Sequence, residues 1–415
     1  MAAIEENEAK ISVKVIVDKV YKRVVYAEAD YTFVDILFSF MTLPIGTIVR
    51  ILGKVDDKKF EGLGSLNNLY QSLKDFPDCY LSSAECKPIL LNPMSLSYHH
   101  CRKLKLKIDD TQPLSYFGCT QDRCVFVSDI ATIIISDNLC VEPYTSESGI
   151  RLLTDCGITD TSYLEERKLD MCSNEVLYFL KLALTVDNPF TYLVFSKMHP
   201  NQEIFSSCEE SSFDQCDVLK KEVSATSTML LKVFLQKSSG KLLFAETKED
   251  FVEFLFGILS IPLGTVVGTL LNGASSISCM DNVFKSISNM SVGRYLMSQD
   301  IKDMLLKPHI GQPYSSKNQV FPLKCTPTLC EHVKDPRPGG NFLKQSGMFM
   351  VTDDLTITPS TSHSTIDVLR KLNVPLDDIE RCEVSIGLEE CLKLLKASLR
   401  SCSTLTDSLK HQLKK

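Results

Sequence analysis

The chain is predicted to be an α+β protein made by tandem duplication, each unit a small, mostly antiparallel sheet with helices packed on it. Three observations predict this. Blocks of sequence recur in constant register, the opening strands of each unit are joined by connections short enough only for hairpins, and helical periodicity is concentrated later in each unit.

The recurrence is the strongest of the three. Val24-Val25-Tyr26-Ala27-Glu28, Phe33-Val34-Asp35-Ile36-Leu37-Phe38 and Leu43-Pro44-Ile45-Gly46-Thr47-Ile48-Val49 are answered by Leu242-Leu243-Phe244-Ala245-Glu246, Phe251-Val252-Glu253-Phe254-Leu255-Phe256 and Ile261-Pro262-Leu263-Gly264-Thr265-Val266-Val267. Each block returns 218 positions later, as Glu28 does at Glu246. Asn68-Leu69-Tyr70-Gln71-Ser72-Leu73 is answered by Asn282-Val283-Phe284-Lys285-Ser286-Ile287, and Asp137-Asn138-Leu139 by Asp353-Asp354-Leu355. The expected division is a tail over 1–10, a first repeat over 11–200, a polar linker over 201–228 and a second repeat over 229–415. The linker is Ser- and Glu-rich and carries no strong hydrophobic period.

Each unit opens with alternation: Ile11, Val13, Val15 and Val17 fall on one face, and Ser12, Lys14 and Asp18 on the other. A short turn (19–23, or 236–241 with Gly240) leads to a second apolar run, which predicts an antiparallel hairpin. A helix follows. Thr32 three before Asp35, and Asp250 three before Glu253, resemble capping boxes, and Pro44 and Pro262 break the helix or set its exit. Later come a strand (131–135; 348–352), a polar turn and two helices on one face of the sheet. Ser364 three before Asp367 is read as the cap of the first helix; Leu388, Cys391, Leu392, Leu395 and Leu399 give the second its period.

Composition bounds the function. A chain of 415 residues suits two domains, and a net charge of −7 gives no overall pull towards nucleic acid or an anionic membrane. Lys103, Lys105 and Lys107 alternate as a solvated strand face would. The acidic start lacks an apolar h-region, so the 16 cysteines are expected as reduced thiols of a cytoplasmic or nuclear protein. Phe254 to Leu271 is free of charge and about long enough to cross a bilayer. Pro262 and three glycines interrupt it, and the matching stretch of the first unit ends at Asp35 and Arg50. A buried helix, a Pro break and a second short helix are predicted there.

Several of these blocks resemble a large plant family of uncharacterised proteins catalogued as domain of unknown function 674. They are the opening hairpin with Ala27-Glu28, the Leu43-Pro44-Ile45-Gly46-Thr47 turn, the Met350-to-Pro359 segment and the last helix from Gly387 to Leu405-Thr406. The resemblance covers almost the whole chain, duplication included. It implies a plant source and a soluble protein, and no activity. Similar proteins often follow the first C-x4-C with a C-x-C-G segment that looks like the rest of a four-thiolate ribbon. This chain keeps Cys119 and Cys124 and lacks the second pair.

Zinc takes about four N or S ligands. Cys119 and Cys124 would need Cys101 or His100 to complete a site, and Cys325 and Cys330 would need His332. Neither unit offers a second pair at ribbon spacing, so buried thiols or remnants of an ancestral site are the preferred reading. Zinc is the competing one, and no cofactor is expected. A thiol nucleophile needs an adjacent base. His99 and His100 adjoin a Cys-Arg-Lys segment read as a strand entry, and His363 sits in a turn before a helix. Asp353-Asp354 is read as a turn rather than an acid/base pair. Gly62-Leu63-Gly64 lacks the third glycine of a dinucleotide loop, and Pro336-Arg337-Pro338-Gly339-Gly340 falls in a stretch about ten residues longer than in the first unit, read as a variable surface loop. The function expected from these readings is non-catalytic protein interaction, with a protein partner and neither nucleic acid nor membrane. The alternative is an enzyme or small-ligand binder with its site at the interface of the repeats.

Overall fold

The computed structural model describes residues 9–55, 63–106, 108–111, 125–129, 132–196, 228–316, 319–323, 325–326, 337–344 and 347–413. In the first copy a hairpin, β1 (Ile11–Asp18) and β2 (Arg23–Ala29), is followed by α1 (Tyr31–Ser39), α2 (Ile45–Val55), α3 (Leu66–Asp75), α4 (Cys86–Leu91) and α5 (Tyr98–Cys101). Then come β3 (Ile133–Ser136), β4 (Val141–Pro143), α6 (Ser146–Asp155), β5 (Leu164–Met171), α7 (Ser173–Thr185) and α8 (Pro189–Ser196). The second copy repeats the plan with β6 (Met229–Gln236), β7 (Leu242–Lys248), α9 (Glu249–Ile258), a π-helical turn (Thr265–Leu270), α10 (Ser278–Asn289) and α11 (Gln299–Leu306). A two-residue pair, β8 (Ile310–Gly311) and β9 (Cys325–Thr326), precedes β10 (Met348–Thr352), β11 (Ile357–Pro359), α12 (Ser362–Leu372), β12 (Ile379–Ile386), α13 (Leu388–Ser398) and α14 (Thr404–Leu413).

The two sheets have the same order, β4-β3-β2-β1-β5 and β11-β10-β7-β6-β12, and every pairing in them is antiparallel. The α+β duplication is therefore as the sequence predicts. The predicted face of β1 is inward, with Ile11, Val13, Val15 and Val17 all buried. Both hairpins carry a β-bulge at the same place, after Ile16 and after Phe234, so even an irregularity has been inherited twice.

Four local expectations are corrected. Strands β5 and β12 fall between the two late helices, where no strand is predicted. Their sequences, Leu164-Glu165-Glu166-Arg167-Lys168 and Ile379-Glu380-Arg381-Cys382-Glu383, carry charge because each is an edge strand with solvent on one side. Helices also cover both faces of a sheet: α12 lies over Leu243, Phe244 and Met350, on the face opposite the main core. The 98–106 segment is a short helix and turns, so Lys103 and Lys105 are not on a strand; Lys107 is outside the described residues. Finally, the caps differ from those proposed. Asp30 caps α1 by accepting from the Thr32 and Phe33 N–H groups, while the side chain of Asp35 points into the core. On α9 the first turn is acidic through Glu249 and Asp250, and Glu253 is buried. Thr361 caps α12 in a reciprocal pair with Ser364, and Asp367 instead meets His363.

The two copies are braced by exchanged helices. Helix α3 of the first copy lies against α9 and β11 of the second, and α10 of the second lies against β4 and α7 of the first. Matching residues make matching bonds. The Ser72 hydroxyl accepts from Ile357 N–H at 2.9 Å, and its counterpart Ser286 accepts from Val141 N–H at 2.9 Å. Asn68 donates to the Asp354 carbonyl and Asn282 to the Asn138 carbonyl. Beyond each helix the chain forms a bridge with the other copy, Leu81 with Leu343 and Leu296 with Val127. Pro44 and Pro262 form a bridge with each other. There Ile45 N–H donates to the Ile261 carbonyl, and Leu263 N–H to the Leu43 carbonyl. That is the pattern of a two-fold axis. One continuous core results: Phe76 of the first copy sits edge-on to Phe256 at 5.2 Å and beside Phe349 at 5.5 Å, both of the second. At about 1.5–3 kcal/mol for each fully buried large apolar side chain, such shared burial ties the copies energetically.

Candidate functional site: a groove at the seam between the copies

Five carboxylates are consumed by structure. Asp353 accepts from the Thr406 N–H and hydroxyl, both at 2.8 Å, and so caps the first turn of α14 from a distant hairpin. Asp137 does the same for α8 through Thr191. Asp354 accepts from Thr352, the Thr356 N–H and Asn68. Leu139 and Leu355 complete these turns with φ of 63° and 60°, a conformation costly for leucine that full burial of both side chains offsets. Asp35 accepts three backbone N–H groups, from Val125, Phe126 and Val127, at 2.8–3.0 Å. Glu253, its counterpart, accepts from Phe342 N–H at 2.7 Å and from the Ser316 hydroxyl at 2.8 Å.

Burial governs the protonation of these groups. It pushes Asp35 and Asp137 up to about 6 against their donors, and raises Asp109, Glu253, Asp281 and Asp353 as well. A carboxyl with a raised folded-state pKa holds a proton where the unfolded chain has lost it, so its contribution to stability declines as pH rises from about 4 to about 6. The depressed carboxyls Asp110, Asp160, Glu165, Asp170 and Asp378 lie at the surface, exposed or partly so, and act weakly in the opposite sense. The urea midpoint is accordingly expected to be higher at pH 5 than at pH 7, by on the order of 2 kcal/mol in unfolding free energy. A midpoint that falls on acidification would contradict the burial of these carboxyls.

Among the described residues, the thiol and histidine candidates are not brought together. Cys119, Cys124, Cys330 and His332 lie outside the described residues. Cys325 is exposed, with its Sγ 3.4 Å from the Gln319 side-chain oxygen. The Cys101 thiol faces the Thr42 hydroxyl at 3.4 Å, and burial pushes it up to about 12, which keeps it a neutral thiol. His100 stacks near Phe126 and burial lowers its pKa. His363 meets Asp367 at 2.9 Å on the exposed surface of α12. Among the described residues, no group of three or more His, Cys, Asp or Glu is placed to hold a metal ion.

The Pro-Gly segment is not a variable surface loop over its described part. Arg337 is buried, donates to the Ser315 and Gln312 carbonyls, and lies 4.4 Å over the Phe342 ring. Its charge also favours the ionised form of Glu253. A glycine-flanked arginine in an insertion gives no sequence signal of burial, because the carboxylate it neutralises is over 80 residues away.

An opening does exist at the seam. A groove of about 660 Å³ has Leu96 and Ser97 of the first copy on one side and Thr265, Thr269, Met304 and Pro308 of the second on the other. Asp300, Asp303, Lys307 and His309 stand exposed around it. Its wall is the π-helical turn, which the matching helix α2 lacks. Gly268, where the first copy has Arg50, explains the difference. A Cβ there would fall 2.3 Å from the Phe284 ring and 2.8 Å from the Leu306 carbonyl, so α10 and α11 close on the turn only over glycine. The widened turn leaves the Thr269 hydroxyl buried at the groove wall, with no partner among the described residues. π-turns of this kind recur at functional sites. At the matching place in the first copy, the turn Gln312–Tyr314 packs on α4, and Tyr314 is hydrogen-bonded to the Met94 backbone. Apolar residues with a rim of both charges suit binding. No acid–base pair is hydrogen-bonded across the groove among the described residues.

No helix of the described residues is long and apolar enough to cross a membrane, and the charge-free stretch from Phe254 to Leu271 is, as predicted, a buried helix (α9), a break at Pro262 and a second short helix, the π-turn. Neither a curated protein nor a solved structure matches the chain. A family model described as a protein of unknown function (DUF674) matches residues 7–124, 120–332 and 322–389, nearly the whole sequence. With its duplicated sheets, exchanged helices and recurring blocks, the chain belongs to the DUF674 family of proteins of unknown function.

Proposed function

We propose that this protein is a non-catalytic binding protein that receives a segment of a partner protein in the seam groove. The observation that carries the reading is the asymmetry between the copies: the second keeps an open groove with a π-turn and a hydroxyl unpartnered among the described residues, where in the first the turn Gln312–Tyr314 packs on α4. Two further features favour the groove over strand addition. The edge strands β5 and β12 bear charges along their length, and β4 and β11 are three residues long and end in Pro143 and Pro359. Such edges resist pairing with another chain. The structural ties of Asp137, Asp353, Asp354 and Cys101 support a role without chemistry at those residues.

A photo-reactive residue at Met304 tests the proposal in the full chain, with Ile150, exposed on α6, as control. The expected result is a protein adduct of one mass at 304, absent at 150 and lost when Thr269→Trp fills the groove. Equal labelling at both positions would contradict it. A small molecule retained in native mass spectrometry and released by Thr269→Trp would instead establish the reading of a ligand site at the interface of the repeats.

A further inference from the structure

Several of the bonds that join the copies come in reciprocal pairs, and each runs between a residue of the first half and one of the second. Ser65 illustrates how complete the complementarity is. Its N–H donates to the Ser398 carbonyl and its hydroxyl to the Ser401 carbonyl, satisfying carbonyls at the end of α13 from the other copy. In the opposite direction the Cys279 thiol donates to the Val186 carbonyl, just past the end of α7. None of these contacts depends on the halves being one chain. They are linked only through the 31 residues between Ser196 and Thr228, which set a covalent limit of about 100 Å.

We infer that each half is a docking surface for a homologous half, so that a second copy of this chain can supply the complement and two molecules can trade halves. The exchanged helices specify this partner. Helix α3 carries Asn68 and Ser72 at the spacing that meets Asp354 and Ile357, and α10 carries Asn282 and Ser286 at the spacing that meets Asn138 and Val141. A partner must present that same hairpin turn and the following strand. In the intact chain the link holds the halves at an effective concentration on the order of millimolar, so pairing within one molecule prevails in dilute solution. Cutting the link removes that preference and leaves the contacts unchanged.

The experiment places a protease site in the Ser- and Glu-rich stretch between Asn201 and Thr228 of the full chain and cuts the folded protein. The halves are expected to stay together through size exclusion at the elution volume of the uncut chain. Two cut preparations with different tags on their first halves, unfolded together in urea and refolded with an excess of one tag, should distribute second halves in proportion to the tags. Halves that part after cutting while each keeps its circular dichroism would overturn the inference. If the cut protein does not regain its fold, the uncut chain is refolded at millimolar concentration. A dimer that reverts to monomer after unfolding and refolding at micromolar concentration supports half-trading, and monomer alone at both concentrations overturns it.

Discussion

Replacing Gly64 by alanine is expected to lower the unfolding free energy by about 3–5 kcal/mol. Two penalties add. The residue sits at φ +49°, which costs an alanine on the order of 1 kcal/mol. A Cβ would also lie 2.6 Å from the Ser398 carbonyl oxygen, 2.8 Å from the Arg400 N and 2.9 Å from the Ser401 carbonyl oxygen. All three are backbone atoms at the end of α13, so no side chain can swing aside. Retreat of that backbone breaks the two bonds from Ser65 and the Thr404 contact to the Ser65 hydroxyl. Denaturant unfolding measures the loss; a change within 1 kcal/mol would mean that the copies do not meet as described. Gly53, also in the first copy, has nothing among the described residues within 4 Å of an added Cβ and serves as the control, where alanine is expected to be tolerated.

Asp35→Ala is expected to cost a similar amount, about 3–5 kcal/mol, by a different route. Asp35 is 2% exposed and takes the N–H groups of three consecutive residues, which no other side chain among the described residues satisfies. Alanine leaves three donors in a dry core and a cavity where the carboxylate stood. Asparagine separates these effects. Its amide oxygen at the Oδ1 position keeps the bonds from Phe126 and Val127, while its NH2 confronts the Val125 N–H, so about 1–3 kcal/mol should be lost. The order wild type, Asn, Ala in stability is the check. Equal stability of all three would remove the carboxylate from the fold's framework.

The parts of the fold legible in the sequence are those written in local pattern. The alternation of Ile11 to Val17 and the 218-residue register of three blocks lead directly to two hairpins and a duplication. What was not legible depends on contacts across the chain. The apolar stripes of α3 and α10 announce burial but not which copy they are buried against, since the two sheets offer near-identical surfaces. Asp35 and Glu253 stand where a capping carboxylate would, and turn inward only because loops about 90 residues later supply donors. Strands β5 and β12 read as polar because their alternation is one of charge with partly buried residues such as Leu169 and Cys382. The groove was legible only as a location, the interface of the repeats. Its π-turn follows from Gly268 at the position of Arg50, a difference whose meaning appears only once Phe284 is packed against it.

Exchange of helices makes a definite claim about energetics: a perturbation confined to one copy is felt by both, since neither sheet keeps its full core without the other's helix. Native-state hydrogen exchange of the Asp35→Asn protein tests this most directly, because the three N–H groups that the Asp35 carboxylate accepts, those of Val125, Phe126 and Val127, all lie within the first copy. The slowest amides of β6, β7 and β10 should exchange faster by the same factor as those of β1, β2 and β3, on the order of tenfold for about 1.4 kcal/mol. Acceleration restricted to β1, β2 and β3, with the second sheet unchanged, would contradict the account.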